Sequence, residues 1–242
     1  MTDVNKWTEE GHATGYLAIA GEIPHRREGE GALLDRIPAG ARRILDLGSG
    51  DGRLLALVLD RCARASGIAI DFSPAMLERA RRRFSGDHRV TVLEHNLDRP
   101  LPEFGPFDAV VSSFSIHHLA HQRKRALYAE VFQLLEPAGV FCNLEHVCSP
   151  TARVHAQFFA ALGQDVESED PSNKLIDVES QLGWLRAIGR AAVRLARRWQ
   201  RPLSRCHTAD GLVGHEKRPL EHGRRLELLV ANPDREACGG GF

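Results

Sequence analysis

The sequence predicts an α/β fold in which one doubly wound, mostly parallel sheet carries helices on both of its faces. First, short apolar runs alternate with helical segments over residues 43–149, and this alternation is typical of parallel sheets because helices make the crossovers. Second, a glycine-rich turn, GSGDG, separates the first strand from the first helix of that region. Third, 242 residues suffice for one domain with a substantial core.

The strands are predicted from buried apolar runs, which lie at 43–47, 67–71, 90–94, 107–113 and 140–145. Helices are predicted between the strands, and Ser73-Pro74 is a typical helix start with serine at the N-cap. Two helices and then two strands are predicted beyond residue 149, at 151–163, 174–188, 191–195 and 226–230.

Composition argues against several classes of protein. The formal net charge is zero, so no global field draws the chain to nucleic acid or to an anionic membrane. The five cysteines are scattered without a C-x-x-C pair, which argues against a disulfide framework and a cysteine-rich zinc site. The start of the chain does not resemble a signal peptide, and no apolar run reaches the roughly 18 residues of a membrane helix. We therefore expect a cytoplasmic protein without a membrane partner.

The turn Gly48-Ser49-Gly50-Asp51-Gly52 indicates which kind of ligand the sheet holds. Glycines let the backbone turn tightly and approach a ligand closely, and a turn at the carboxyl edge of a parallel sheet is where nucleotide-like ligands bind. Dinucleotide enzymes use G-x-G-x-x-G, but Arg53 stands at the third glycine position here. Asp46 and Asp51 add negative charge, which disfavours a pyrophosphate and suits a sulfonium cation and an amino group.

The ends of the next two strands supply the rest of a nucleoside site. Asp71 ends the second strand, where a carboxylate can accept hydrogen bonds from both ribose hydroxyls. Phe72 and Met76 can flank an adenine ring. After the third strand, Asn96 can hydrogen-bond the adenine amino group while Leu97 packs on the ring.

Five segments, ILDLGSGDG, GIAIDFSPAML, EHNLDRPLP, FDAVVSSFSIHHL and LLEPAGVFCNLEHV, follow one another over residues 43–149. In this order and spacing they resemble the class I S-adenosylmethionine-dependent methyltransferases, most closely the small-molecule enzymes of ubiquinone and menaquinone biosynthesis. The resemblance implies S-adenosylmethionine as cofactor and a Rossmann-like sheet of seven strands, with one antiparallel strand near an edge. Residues 137–139 read PAG where the family has PGG, and residues 201–223 fit no family element, which leaves the C-terminal edge of the sheet open.

The resemblance also implies roles in cofactor binding for Asp46, Gly48, Gly50, Asp71, Asn96 and Ser113. The full predicted cofactor set adds residues of the turn, the ring-flanking side chains and one arginine that can reach the methionine carboxylate. It comprises Asp46, Gly48, Ser49, Gly50, Gly52, Asp71, Phe72, Met76, Asn96, Leu97, Ser113 and Arg26.

Histidines are the candidate catalytic residues, since histidine can take a proton from an acceptor near neutral pH. His146, after the fifth strand, is the first choice, and His117, after the fourth, is the second, because both strand ends open on the edge that holds the turn. His117 and His121 would share a helix face, but no cysteine or carboxylate accompanies them at a recognisable spacing, so no metal is predicted.

We predict a single domain over residues 1–242, organised as a helical lid (1–40), a cofactor-binding core (41–149), a helical cap on the acceptor side (150–190) and an atypical C-terminal segment (191–242).

The leading hypothesis is methyl transfer to a small-molecule acceptor. A second hypothesis changes the acceptor to tRNA, because residues 186–225 carry 11 Lys or Arg against three acidic residues. A third is an inactive cofactor-binding protein. The acceptor atom and the oligomeric state stay open.

Overall fold

The computed structural model describes residues 26–161 and 163–188, the strands at 192–196 and 225–230, and the isolated glycines 11 and 15. The strands form one sheet in the order β3-β2-β1-β4-β5-β7-β6, and every pair of neighbours in it is parallel. The strands are β1 (Arg43–Leu47), β2 (Ser66–Asp71), β3 (Val90–Glu94), β4 (Phe107–Ser113), β5 (Leu135–Glu145), β6 (Ala192–Ala196) and β7 (Arg225–Val230).

Six helices in the described part of the chain flank this sheet. They are α1 (Arg26–Leu34), α2 (Arg53–Arg61), α3 (Pro74–Arg83), α4 (His121–Leu134), α5 (Ala152–Ala161) and α6 (Val178–Ile188). Two short 3-10 helices, Ile116–His118 and Val166–Ser168, lie between them.

Each face of the sheet has its own apolar core, because side chains alternate between the two faces along every strand. On one face, Leu33 of α1 and Leu55 of α2 belong to a cluster with Ile44 of β1, and all three side chains are fully buried. On the other face, Tyr128 of α4 and Leu185 of α6 pack in a second cluster. The predicted doubly wound α/β fold is thereby confirmed.

Most predicted elements occur within a few residues of their expected bounds, but strand β5 begins at Leu135 instead of at residue 140, and helix α6 begins later than predicted. The prediction placed it from residue 174, whereas the helix starts at Val178. Residues before it are bonded elsewhere: the Lys174 N–H donates to the His117 carbonyl over 3.0 Å, and the Lys124 ammonium donates to the Lys174 carbonyl. The Asp177 side chain then accepts the Ser180 N–H over 2.8 Å at the new helix start.

The pairing of β7 differs from what the resemblance implied. Strand β7 runs parallel to both β5 and β6, with Glu145 opposite Val230 and Ala196 opposite Leu229. No antiparallel strand therefore occurs among the described strands. A parallel neighbour needs a crossover of a dozen residues or more, and residues 197–224 between β6 and β7 exceed that length.

The change from PGG to PAG, which lies within β5, places alanine where the backbone favours glycine. Ala138 has a φ of 69°, in the left-handed region, which costs an L-residue about 1–2 kcal/mol. Gly139 must remain glycine, since a Cβ there would lie 2.9 Å from the Glu136 carbonyl oxygen. The pairing of β4 with β5 shifts register at this point, between Phe107 and Ala109.

None of the helices in the described part of the chain combines the length and apolar character that a membrane span requires. The same residues contain no group of three or more His, Cys, Asp or Glu arranged to hold a metal ion.

Candidate functional site

A cavity of about 340 Å³ opens at the carboxyl ends of the central strands. Strand β1 has β2 on one side and β4 on the other, so the crevice lies where the strand order reverses, the usual ligand position in open α/β sheets. The cavity is lined from the ends of four strands: by Gly48, Ser49 and Gly50 after β1, Asp71 and Phe72 at β2, His95 to Asp98 after β3, and Ser113 to Ser115 at β4.

The glycine turn is held in a backbone conformation that other residues adopt only at a cost. Gly48, Gly50 and Gly52 have φ values of 61°, 55° and 78°. A Cβ on Gly48 would lie 1.7 Å from Ser115 Oγ, so glycine is needed for close packing as well as for the turn. Gly52 is buried and does not belong to the cavity lining. It packs against Phe84, since a Cβ placed on Gly52 would lie 2.4 Å from that ring.

The Asp71 carboxylate organises the turn from the neighbouring strand. Its Oδ2 accepts the Gly50 N–H over 2.8 Å, and its Oδ1 accepts the Ser73 N–H over 2.8 Å. The side chain is 8% exposed and lines the cavity. Burial raises the pKa of Asp71, while the backbone N–H groups of Ser73, Gly50 and Phe72 act in the opposite direction.

Several buried polar atoms along the cavity wall have no protein partner in the described part of the chain. They are Asp46 Oδ2, Ser49 Oγ, His95 Nε2 and Ser113 Oγ. Burial raises the pKa of Asp46 well above its usual value, and the charges of Asp71 and Asp51 raise it further. A buried polar atom without a partner is costly, so this wall is suited to a ligand that supplies both donors and acceptors.

The side chains predicted to surround a ring all belong to the cavity lining. They are Phe72, Met76, Asn96 and Leu97. Asn96 Oδ1 accepts the Asp98 N–H over 2.9 Å, which orients the carboxamide at the rim. The Leu97 carbonyl accepts a hydrogen bond from Arg123 Nε over 2.6 Å, so a side chain of α4 holds this loop.

The arginine predicted from the N-terminal segment also reaches the cavity. Arg26 lines the wall, its Nε lies 2.9 Å from Glu30 Oε1, and its guanidinium lies 5.7 Å from the centre of the Phe114 ring. Phe114 itself has a φ of 51°, an unusual conformation for a non-glycine residue at the end of a strand. The predicted helical lid at 1–40 falls within the described residues only from Arg26 onward.

The candidate catalytic histidines occupy different depths. His118 lines the cavity, whereas His117 lies behind it, 7% exposed, with the two ring centres 4.0 Å apart. His117 Nδ1 is 2.7 Å from Glu145 Oε1, and the His146 N–H donates to the same oxygen over 2.9 Å. The His146 ring is partly exposed, 5.8 Å from the His117 ring, and it contacts Phe158 of α5.

Burial sets the protonation states of this group. It lowers the pKa of His117 and of His118 to about 3 and that of His146 to about 4, so all three rings are neutral near pH 7. It raises the pKa of Glu145 to about 7, although the His146 N–H and the Lys124 ammonium favour the charged carboxylate. The member of this group whose pKa lies near the operating pH is therefore the Glu145 carboxyl, which can hold a proton beside the neutral His117 imidazole.

The segment between α5 and α6 closes over these histidines. Ser172 Oγ lies 3.0 Å from His118 Nδ1, and the Cys148 N–H donates to the Ile176 carbonyl over 3.1 Å. On α5, His155 Nε2 lies 3.0 Å from Glu169 Oε2. Phe159 beside it is 4% exposed and belongs to the packed interior.

Sequence reasoning missed several residues that the structure brings to the site, among them Glu30, Arg53, Ser115 and His118. It also missed Glu145 as the partner of His117. His118 adjoins a predicted histidine, but no periodicity distinguishes which of two adjacent rings faces a cavity. Glu145 directly precedes His146, so the Glu-His pair after the fifth strand was a usable signal for it.

The chain resembles known methyltransferases. The family model for a methyltransferase domain matches residues 44–139. A demethylmenaquinone methyltransferase of Clavibacter sepedonicus is 31% identical over 172 residues, which are 64% of this chain and 68% of the relative.

Two solved structures share the fold. An O-methyltransferase family protein from Burkholderia thailandensis gives a TM-score of 0.57 at 21% identity, over 76% of this chain and 57% of that one. Human N-acetylserotonin methyltransferase in complex with S-adenosylmethionine gives a TM-score of 0.55 at 16% identity, over 76% of this chain and 52% of that one. The chain thus spans little more than half the length of either solved protein.

Proposed function

The chain belongs to the class I S-adenosylmethionine-dependent methyltransferases, and we propose that it methylates a small-molecule acceptor held between the cavity and the segment 165–177. The observation that carries the proposal is the cavity wall around the glycine turn, where buried polar atoms have no partner among the described residues, beside a neutral histidine paired with Glu145. When bound, S-adenosylmethionine supplies an electrophilic methyl group on a sulfonium.

The residues present fit this cofactor. Asp71 is placed for the ribose hydroxyls, and Asp46, with its unpartnered oxygen, for the amino group of the methionine portion. Phe72, Met76 and Leu97 supply an apolar end for the adenine ring, with Asn96 at its edge. The remaining proposed contacts are those of Gly48, Ser49, Gly50, Ser113 and Arg26, while Gly52 supports the turn from behind.

For the proton that an acceptor hydroxyl must lose, we propose His117 as the receiving group, with Glu145 as its partner. Contact with the Glu145 carboxyl orients the imidazole through Nδ1, which leaves Nε2 as its second nitrogen. Because the pKa of Glu145 is raised to about 7, this buried pair can hold one proton between its two members near neutral pH. His146 lacks such a side-chain partner among the described residues and lies against Phe158, so we propose that it contacts the acceptor.

We further propose that residues 41–149 bind the cofactor and that 150–190 form the cap over the acceptor. The cap is supported by its anchorage, since Lys174 and Ile176 bond to backbone near the two histidine motifs. The acceptor class suggested first is that of the Clavibacter relative, a demethylmenaquinone. We propose a reducing compartment such as the cytoplasm, because the five cysteines are scattered without a C-x-x-C pair and Cys62 is buried.

Titration calorimetry with S-adenosylhomocysteine tests the cofactor part of the proposal. The wild type should bind, and Asp71→Asn should bind about 100-fold more weakly, because hydrogen bonds to a charged group are worth about 1.5–3 kcal/mol each and two are weakened. Asp87→Asn is the matched control, since it removes a carboxylate that pairs with Arg89 at the surface. A wild type that binds neither this product nor S-adenosylmethionine would refute the function.

The acceptor is identified by incubating the protein with methyl-labelled S-adenosylmethionine and a quinone-containing metabolite extract. Labelled product should form with the wild type and should fall by 100-fold or more in His117→Asn, the range typical for loss of a proton acceptor. Label in added tRNA instead of in a small molecule would contradict the proposed acceptor class.

A further inference from the structure

We propose that Glu30 is a positioning residue for the cofactor, and that Arg53 joins Arg26 in binding its terminal carboxylate. The inference rests on the proposed function, because it concerns how the methionine portion of S-adenosylmethionine is held. One buried carboxylate on α1 would hold two arginines from different elements at the cavity wall.

Three hydrogen bonds converge on Glu30. Arg26 Nε lies 2.9 Å from Oε1, Arg53 Nε lies 3.1 Å from the same oxygen, and Arg53 Nη2 lies 2.6 Å from Oε2. The Glu30 side chain is 3% exposed, whereas those of Arg26 and Arg53 are 11% and 35% exposed. Both arginines line the cavity, and Glu30 lies behind them.

The position of Glu30 is fixed by close helix packing. At the preceding residue, Gly29, a Cβ would lie 2.9 Å from Leu144 Cδ1, so α1 approaches β5 more closely than any other residue would permit without a shift. Arg53 is the first residue of α2 and directly follows the glycine turn. The ion pairs therefore tie α1 to the start of α2, beside the turn that carries Gly48 and Gly50.

Charge favours an anionic ligand group at this point. A buried carboxylate needs partners, and Glu30 holds the two cationic guanidiniums at the cavity wall. Elsewhere the cavity wall carries the carboxylates of Asp46, Asp51 and Asp71, which suit cationic groups. Each guanidinium has five N–H donors in a planar fork, so one arginine can contact Glu30 and a ligand carboxylate together.

Arg26 is held by a second contact, since its guanidinium stacks 5.7 Å from the centre of the Phe114 ring. This places the arginine pair between the turn after β1 and the end of β4. A ligand with a carboxylate beside a sulfonium would meet positive charge on this side and negative charge at Asp46.

The test compares two ligands that differ in the amino-acid portion. S-adenosylhomocysteine carries the carboxylate, whereas 5′-methylthioadenosine keeps the adenosine and the sulfur but lacks the amino-acid group. In Glu30→Gln we expect S-adenosylhomocysteine to bind about tenfold more weakly, because the arginines lose their charged anchor, with binding of methylthioadenosine unchanged within about twofold. Calorimetry measures both.

Glu78→Gln is the matched control, because it removes an exposed ion pair with Arg82 and should leave both ligands unaffected. If Glu30→Gln fails to fold, Arg53→Lys makes the same test, since it keeps the charge but loses the fork that reaches Glu30 and the ligand. Equal weakening of the two ligands, or no weakening of either, would overturn the inference. A wild type that binds neither ligand would overturn the proposed function as well.

Discussion

The cofactor edge, at the ends of β1, β2 and β3, and the acceptor edge, at the ends of β4 and β5, are built in different ways. At the cofactor edge a carboxylate holds the backbone of two turns, since Asp71 accepts the Gly50 and Ser73 N–H groups. At the acceptor edge hydrogen bonds join distant side chains, as where His117 meets Glu145 and His118 meets Ser172.

The two edges also differ in charge. Carboxylates reach the cavity at the cofactor edge, whereas the acceptor edge holds histidines whose pKa values burial lowers to between about 3 and 4. We propose that the first edge stabilises a cationic ligand and that the second takes up a proton. If cofactor binding and proton transfer are separated in this way, changes at one edge should leave the other intact.

The largest effect is expected where the edges meet, at Gly48 and Ser115. Gly48→Ala should destabilise the protein by about 2–5 kcal/mol, the sum of a left-handed alanine and an overlap with Ser115 Oγ. Adding Ser115→Gly should recover the part due to overlap. Urea unfolding measures the stability of the single and the double variant. Gly31→Ala is the control, because nothing lies within 4 Å of a Cβ placed at Gly31. A Gly48→Ala variant as stable as the wild type would contradict this packing.

Glu145→Gln should separate the two edges. We expect kcat to fall about 100-fold, because His117 loses its carboxyl partner, while S-adenosylhomocysteine binding stays within about twofold. Fixed-time assays with labelled cofactor measure kcat, and calorimetry measures the affinity for S-adenosylhomocysteine. Glu103→Gln, on the surface, is the control. If binding weakened as far as kcat, the independence of the edges would be refuted.

The pH dependence of stability should reveal the buried histidine His146. Its pKa is about 4 when folded against about 6.5 when unfolded, so its contribution is complete above pH 6.5 and is lost as the pH falls towards 4. Glu145 acts in the opposite direction, since its pKa is raised to about 7.

The comparison with His146→Gln isolates the histidine. Between pH 8 and pH 5 the free energy of unfolding of the variant, relative to wild type, should rise by about 1–2 kcal/mol. Urea unfolding at the two pH values measures it, and the exposed His88→Gln should show no such change. An unchanged difference would mean that His146 titrates alike in the folded and unfolded chain.

The smallest effect is expected at Ala138, at the opposite end of the sheet from both edges. Ala138→Gly should stabilise the protein by about 0.5–1 kcal/mol, since relief of the positive φ exceeds the added freedom of glycine in the unfolded chain. Thermal unfolding measures the gain, and cofactor binding should not change. A loss of stability would show that the left-handed conformation carries no strain.

The prediction of a class I methyltransferase with a doubly wound sheet was confirmed, because its signals are local. A strand, a glycine turn and a helix follow one another in GSGDG and its flanks, and their chemistry depends on residues a few positions apart. The predicted start of helix α6 was wrong, because the Lys174 N–H donates to the carbonyl of the distant His117 and this bond competes with helix formation there.

The sequence by itself determined the fold class, the cofactor edge and the presence of histidines after β4 and β5. Only the tertiary structure decided which histidine meets Glu145, which one lines the cavity, and that Glu30 joins Arg26 to Arg53. The physical reason is that the contacts of Arg53 with Glu30, of His117 with Glu145 and of His118 with Ser172 span 23, 28 and 54 residues of chain. They depend on how helices and loops pack over the sheet, which no local pattern encodes.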